Sequence, residues 1–390
     1  MSENHCLICG GKDFAELMRN PAFPLYFGAV SPDKIKKVKA YPLVIAACRN
    51  CSLVQQIDLL EENIIKEVYT ADYYNISSPI VTGMGKNVIE DFYSFFREGA
   101  LKKGKLLELA CFDGYLLHKL QNDGWDVYGC DPSKSADIAI KNLGKQRVRN
   151  EYFNENTYEV QSFDVVIFRN LLEHMYDLRA FLRAVALAVK EDGNIFVEVP
   201  NINVYLKLGG FGTFFHQHVS YFSLETLIYL LSRHGFCVER YLVGAGACLF
   251  IQAKKQRGNR RSPTFSGSNM KERIQEFVLA NKKIKEKFKL LFNDHSIQKI
   301  GVFGASGGLT ALINILNFEE IQRIKYIYDN DSVKHGKKIY GCDIIISPPD
   351  SLYSGEFDRV LISSYLFDKE IRKQLLDCGV ESKKIISFCE

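Results

Sequence analysis

"GKLLELACFDGYLLHKLQNDGWDVYGCDPS", Gly104 to Ser133, is the stretch that decides the fold. The apolar run Leu106 to Ala110 predicts a strand buried on both faces. A turn carrying Asp113-Gly114 follows, and then Leu116, Leu117 and Leu120 recur at helical spacing. "WDVYGCD" is a second strand that ends on Asp131. Strand, turn, helix and strand in this order open a doubly wound α/β sheet, with its ligand crevice at the carboxyl ends of the strands. The next 70 residues agree: a strand at Phe163–Asn170, a helix from Asp177 to Lys190, and a strand at Gly193–Pro200. The helix Ser223–Gly235 and a final pair of strands close the block.

The chemistry of the crevice is legible in the same stretch. Glu108 and Asp131 sit at the tips of the first two strands, and an acid at the second tip commonly accepts hydrogen bonds from ribose hydroxyls. The turn between them carries Gly114 alone, where a pyrophosphate would need several glycines for close backbone approach. That combination suits an adenosine with no phosphate near the turn, and S-adenosylmethionine fits it. Its cationic amino group and sulfonium tolerate nearby carboxylates. A dinucleotide site and a vestigial one are the competing readings.

Upstream, "CLIC" (Cys6, Cys9) and "CRNC" (Cys48, Cys51) form two CxxC pairs. Each tight turn aims two sulfurs at one point, and two such turns complete a tetrahedron around a structural zinc ion. The 38 residues between the pairs exceed a compact ribbon, so a loop or small sheet must be inserted. A redox pair is the alternative. Downstream, the basic "KKQRGNRRSPTFSGS" (254–268) reads as a solvated linker, and a nucleic-acid patch is the alternative. After it come a charged helix (Met270–Phe292) and "IQKIGVFGASGGLTALINIL", a second strand–glycine turn–helix unit. Gly301, Gly304, Gly307 and Gly308 do not spell GxGxxG, so nicotinamide binding is a weak reading there. The expected units are residues 1–75, 76–255 and 268–390.

Composition bounds what these units do. The 390 residues are 47% hydrophobic and 25% charged, with a formal net charge of +4, as in an ordinary globular protein. That mild charge permits an anionic substrate but does not by itself argue for nucleic acid or membrane, and neither is expected as a partner. No secretory leader or membrane-spanning run is visible, and the 11 cysteines look like thiols of a reducing, cytoplasmic compartment. A monomer or small homo-oligomer is expected.

One segment remains, "GTFFHQHVSYFS" (212–223). If it is extended, His216 and His218 point to one side and Gln217 to the other. A metal clip needs a third ligand, and none is obvious nearby. A structural pair and a proton-transfer role are the other readings.

Together "LELACFDGYLL", "GCDPS", "FRNLLEH", "EVPN" and "HQHVSYFSLETL" resemble the sugar C-methyltransferase family across essentially the whole chain, including the four cysteines and "GVFGASGG". The resemblance implies a zinc-binding N-terminal module, a class I methyltransferase domain using S-adenosylmethionine, and a C-terminal Rossmann-like domain. It implies that Glu108, Cys111, Asp113, Gly114, Asp131 and Pro132 line the cofactor pocket with Arg169 and Asn170. "YTADYYNISS" would close over the cofactor through Tyr69, Tyr73 and Ser78. Asn170 and His174 would serve the chemistry, with His218 as the base that makes an enolate of a nucleotide-linked ketosugar. Where the family has Tyr-His-Glu-His, this chain has Phe215-His216-Gln217-His218. The phenol and the carboxylate are gone, so His216, Gln217 and Tyr221 join the candidate catalytic set. Methylation of oxygen or nitrogen rises accordingly. An RNA or protein methyltransferase, a cofactor-binding scaffold without catalysis, and a nicotinamide-dependent sugar enzyme are the rivals.

Overall fold

The computed structural model describes residues 4–70, 83–210, 212–244, 247–256, 270–354, 356–364 and 366–388. At its centre is a seven-stranded sheet. In spatial order its strands are Phe236–Val243, Cys248–Lys255, Val189–Pro200, Phe163–Arg169, Lys105–Leu109, Asp126–Cys130 and Val148–Arg149. Six run in one direction, and Cys248–Lys255 alone is reversed, antiparallel to both of its neighbours. This is the class I methyltransferase-like mixed sheet expected from the sequence. Strand order reverses between Lys105–Leu109 and Phe163–Arg169, and the crevice lies beyond their carboxyl ends.

Helices cover both faces, which is why the inner strands are almost continuously apolar. On one face Phe92, Phe95 and Phe96 of helix Gly83–Glu98 pack with Leu116, Leu117 and Leu120 of helix Tyr115–Asn122. On the other, Phe181, Leu182 and Val185 of helix Leu178–Ala188 meet Leu227, Leu230 and Leu231 of helix Leu224–Arg233. Each such side chain contributes roughly 1.5–3 kcal/mol on burial. The second pair starts at designed-in stops: Asp177 accepts from the amides of Arg179 and Ala180, and Ser223 with Thr226 forms a capping box.

The two CxxC pairs flank the first two strands of a separate antiparallel sheet, Phe14–Pro24 and Ala40–Cys48, and Val54–Ile57 follows the second pair. That inserted hairpin is the long spacer between them. The fourth strand of this sheet, Ser220–Tyr221, comes from the histidine segment and pairs with Val54 and Gln55. Cys6, Cys48 and Cys51 are buried in the same core as helix Leu178–Ala188, so the cysteine knuckle is welded to the central domain.

The C-terminal sheet is fully parallel, in the order Ile346–Ser347, Ile324–Tyr328, Ile300–Phe303, Arg359–Ile362 and Ile385–Ser387. Helix Met270–Asn293 leads into it. A bridge between Val30 and Lys338, and a hydrogen bond of 2.8 Å from Thr310 Oγ1 to the Phe27 carbonyl, join it to the N-terminal module. Among the described residues no helix is long and apolar enough to cross a membrane.

Candidate active site

The turn after strand Lys105–Leu109 is folded against the preferences of its residues. Ala110, Phe112 and Gly114 all have φ between 51° and 76°. Two of the three carry side chains, and such conformations persist only where surrounding contacts over-determine them. Asp131 is the latch: its Oδ2 accepts from the Phe112 amide at 2.9 Å and its Oδ1 from Ser133 at 2.8 Å. Asp113 caps the following helix through the Tyr115 amide at 3.1 Å. Gly114 is required by packing, because a Cβ there would stand 2.9 Å from Ala139 Cβ. Cys111 is buried beneath the turn against Gly129, and Pro132 is exposed at the rim.

Glu108 is the residue this turn leaves unsatisfied. It is buried, its Oε2 has no partner among the described residues, and burial pushes its carboxyl up to about 8 despite the nearby Arg169. An unpaired buried carboxylate is expensive. A cationic ligand would relieve it, and the remaining lone pairs of Asp131 can accept from hydroxyls. The donor set therefore fits S-adenosylmethionine and does not fit a pyrophosphate. Tyr73 and Ser78 lie outside the described residues, as does the side chain of Tyr69, which belongs to helix Glu62–Thr70.

Arg169 and Asn170, at the tip of the next strand, share a buried partner that the sequence reading did not assign. Glu198 accepts from Arg169 Nε at 2.5 Å and from Asn170 Nδ2 at 3.0 Å, and its carbonyl accepts from the Asn170 amide. The Arg169 guanidinium also lies 4.8 Å from the centre of the Phe92 ring. Asn170 thus has one of its two side-chain N–H bonds committed, which fixes its carboxamide at the crevice.

The histidine segment departs from the extended form. Residues 216–217 make a turn closed by the His218 amide on the Phe215 carbonyl, 3.2 Å, so the two imidazoles diverge. His216 turns toward the N-terminal module, with Nε2 3.2 Å from the Phe23 carbonyl and edge contacts to Phe23 and Tyr41. It is a packing residue there and does not share a site with His218. His218 instead meets His174 edge to face at 4.8 Å, and Phe215 covers it at 4.1 Å. His174 donates from Nδ1 to the Gln217 carbonyl at 2.8 Å, and burial pushes it down to about 4. Burial also drives His218 well below the usual imidazole range, so both rings are neutral near pH 7. The Gln217 side-chain amide is buried and has no hydrogen-bond partner among the described residues. The Tyr221 hydroxyl is spent on the Phe215 backbone, at 3.3 and 3.4 Å, and so braces the turn rather than facing outward as a donor.

Two further residues build this corner. Gln56, from the N-terminal sheet, donates through Nε2 to the carbonyls of Phe215, His216 and His218 at 3.0, 2.9 and 2.6 Å. Glu173 is buried, and its carboxylate and a ring nitrogen from each of His174 and His218 lie within 4.8 Å of one another. It is the third donor group that was not evident beside the histidines in sequence. A lone glutamine in a strand carries no sequence signal, whereas Glu173 could have been found from its place beside His174.

The glycine turn of the C-terminal sheet is filled by the protein itself. A Cβ on Gly307 would fall 2.4 Å from the Gly212 carbonyl oxygen, and one on Gly308 would fall 1.9 Å from that of Ser363. The turn therefore supports the histidine segment, with Phe27 bridging Gly307 and Phe215.

The four cysteines bring their sulfurs within 4.8 Å of one another, with Cys6 to Cys51 at 3.4 Å and Cys9 to Cys48 at 3.6 Å. Gly10, at φ 76°, lets the first turn close. Crowding splits their acidities: hydrogen bonds from Cys51 and Cys6 hold Cys48 well below the usual thiol range, while Cys6 is pushed above it. Four soft donors in this arrangement can hold one tetrahedral metal ion.

Residues 84–241 match the model of a methyltransferase domain family, and residues 296–386 match a "C2185-like, N-terminal" model. The chain is an S-adenosylmethionine-dependent methyltransferase. Its similarity to the C-methyltransferase NovU of Streptomyces niveus is 24% identity over 96% of this chain and 94% of that protein. The homology is thus full-length. The methyltransferase is also similar to a ubiquinone biosynthesis O-methyltransferase of Pelagibacter ubique, 28% identical over 30% of this chain and 50% of that one. Among solved structures, a 1,6-didemethyltoxoflavin-N1-methyltransferase of Burkholderia thailandensis aligns with a TM-score of 0.39 and 14% identity, covering 55% of this chain and 96% of that one.

Proposed function

We propose that the methyltransferase methylates a carbon of a nucleotide-linked ketosugar, with His218 as the base. The observation that carries this reading is the neutral, half-buried His218 packed on His174, one short turn beyond the strand tip at Asn170. Bound S-adenosylmethionine supplies an electrophilic methyl group. Glu108 and Asp131 would hold it, with Cys111, Asp113, Gly114, Pro132 and Arg169 shaping its pocket and Tyr69, Tyr73 and Ser78 closing over it. What this chain must add is removal of a proton beside a ketone, and alignment of the resulting carbon nucleophile. Neutral imidazole accepts that proton. Asn170, fixed by Glu198, donates toward the developing oxyanion. Full-length similarity to a C-methyltransferase supports carbon as the acceptor. Residues 1–75, 76–255 and 268–390 act as cysteine module, catalytic domain and substrate platform.

Oxygen or nitrogen methylation is the second reading. Phe215 offers no hydroxyl, and that of Tyr221 is engaged by backbone, so neither of these two rings donates to an enolate. A heteroatom acceptor needs less base strength. Incubation with carbon-13 methyl S-adenosylmethionine and a panel of keto and hydroxy nucleotide sugars, read by NMR, decides between them. We expect a methyl on carbon that disappears in His218→Ala. A methyl on oxygen or nitrogen supports the second reading, and cofactor binding without turnover on any acceptor means a non-catalytic scaffold.

Zinc is the ion proposed for Cys6, Cys9, Cys48 and Cys51. Its role is to hold the sheet from which Gln56 reaches the histidine turn. Elemental analysis should find one equivalent, lost in Cys48→Ser. Chelation should lower thermal stability before it affects cofactor affinity.

A further inference from the structure

We propose that Glu173 is the positioning carboxylate of the proton-accepting site, standing beside His218 to stabilise the imidazolium formed when His218 takes the substrate proton. This rests on the assignment of His218 as base and extends it to a residue outside that assignment.

Glu173 is 1% exposed, and neither carboxylate oxygen has a partner among the described residues. Native proteins rarely leave such a group idle, since both oxygens must be desolvated with nothing in return. Its position is enforced. It lies in the short helix Leu172–His174, and its carbonyl accepts from the Val219 amide at 2.8 Å, which pins it to the residue after His218. The carboxylate and the rings of His174 and His218 converge within 4.8 Å without direct hydrogen bonds from the carboxylate. The groups facing it from other elements are Glu198, Tyr205 and Cys248. Glu198 already holds Arg169 and Asn170, and the others are a phenol and a thiol. Glu173 is thus the acid with capacity to spare for His218.

The need for it is physical. Desolvation alone makes an imidazole a poor base, and His174 beside it adds to the effect. A neutral amide at Gln217 offers no compensating charge. In the step itself, the carbon–hydrogen bond beside the substrate carbonyl breaks, and its proton passes to His218. The electron pair left behind forms the new carbon–methyl bond, and the sulfonium supplying the methyl becomes a thioether. One positive charge thus moves from sulfur to imidazole, and Glu173 meets it there. Its own carboxyl is pushed up to about 8 by burial, so the charged form that His218 requires gains population as pH rises.

The test is a nitrogen-15 imidazole titration of the full-length zinc-loaded protein with S-adenosylhomocysteine bound, wild type against Glu173→Gln. We expect the apparent pKa of His218 to fall by at least about one unit in the variant, a tenfold loss of proton affinity. Turnover should fall roughly 100-fold, with the KM for S-adenosylmethionine unchanged within about twofold and the alkaline rise of the pH profile removed. An unchanged His218 titration overturns the proposal. So does a second equivalent of bound metal with metal-shifted imidazole signals, which would make the cluster a cation site. If the variant does not fold, wild type alone decides: coupled two-step titration of Glu173 and His218 supports the pairing, and independent titration overturns it. The imidazole readout needs no turnover, so it stands apart from failure to find carbon methylation.

Discussion

Two strand–turn–helix units in this chain use one latch for different ends. In the central sheet, Asp131 accepts from Phe112 and Ser133; in the C-terminal sheet, Asp329 accepts from Ala305 at 2.7 Å and Asp331 at 2.8 Å. Four residues before the latched amide, the first unit has Glu108, buried with an unsatisfied oxygen, and the second has Gly301. Asp329 is further neutralised by Lys334 at 2.9 Å, and its glycines are packed by Gly212. An acid at the second strand tip is therefore first a turn latch. On the function proposed above, it becomes a ligand site where the neighbouring charge is left unbalanced, as at Glu108.

The largest expected effect that would break this comparison is on cofactor affinity. Asp131→Asn should weaken S-adenosylmethionine binding about 100-fold, since two charge-assisted bonds are lost, while Asp329→Asn should leave it within about twofold. Isothermal titration of both variants measures this, and equal losses would mean the two turns bind the ligand alike. Next, Gly307→Ala presses a methyl group onto the Gly212 carbonyl and should disturb the histidine turn. We expect turnover to drop about tenfold with cofactor affinity intact, because uniform binding is untouched and only alignment suffers.

A smaller effect sharpens the difference in charge balance. Glu108 titrates at about 8 in the fold and near 4.3 in an unfolded chain, so the native state binds more protons across that window. Its contribution to the stability of the cofactor-free protein is full below the unfolded value and is lost as pH rises through about 8. Glu108→Gln should therefore melt a few degrees above wild type at pH 9, and the gap should close toward pH 5. The smallest effect belongs to Lys334→Met. Lys334 is partly exposed and the buried Asp329 keeps its two backbone donors, so the loss should stay within about 1 kcal/mol and melting should shift little.

Much of the site could be read in one dimension because it is built from short-range geometry. Two residues between cysteines, an acid at each strand tip and a single glycine in the turn are local patterns with local causes. The histidine segment was not of that kind. Its alternation of His216 and His218 looks like a strand, yet Gln56 binds three of its carbonyls from another sheet and converts it to a turn. Glu198 was invisible as a functional group for the same reason: a carboxylate in a strand says nothing until its burial and neighbours are known, whereas Glu173 at least stands next to His174 in sequence. The glycines of "GVFGASGG" left the question open. Their spacing signals close backbone approach, but whether a ligand or the chain itself makes that approach depends on where Gly212 lies.

The sequence by itself determined the doubly wound sheet, the four-cysteine cluster and the acidic tips suited to a cationic adenosine ligand, because hydrophobic period, turn chemistry and ligand spacing act over a few residues. Only the tertiary structure decided which histidine packs on His174, which described carboxylates stay unpaired and which glycine turn is already full. Those outcomes depend on desolvation and on contacts between residues more than a hundred positions apart, and no local pattern records them.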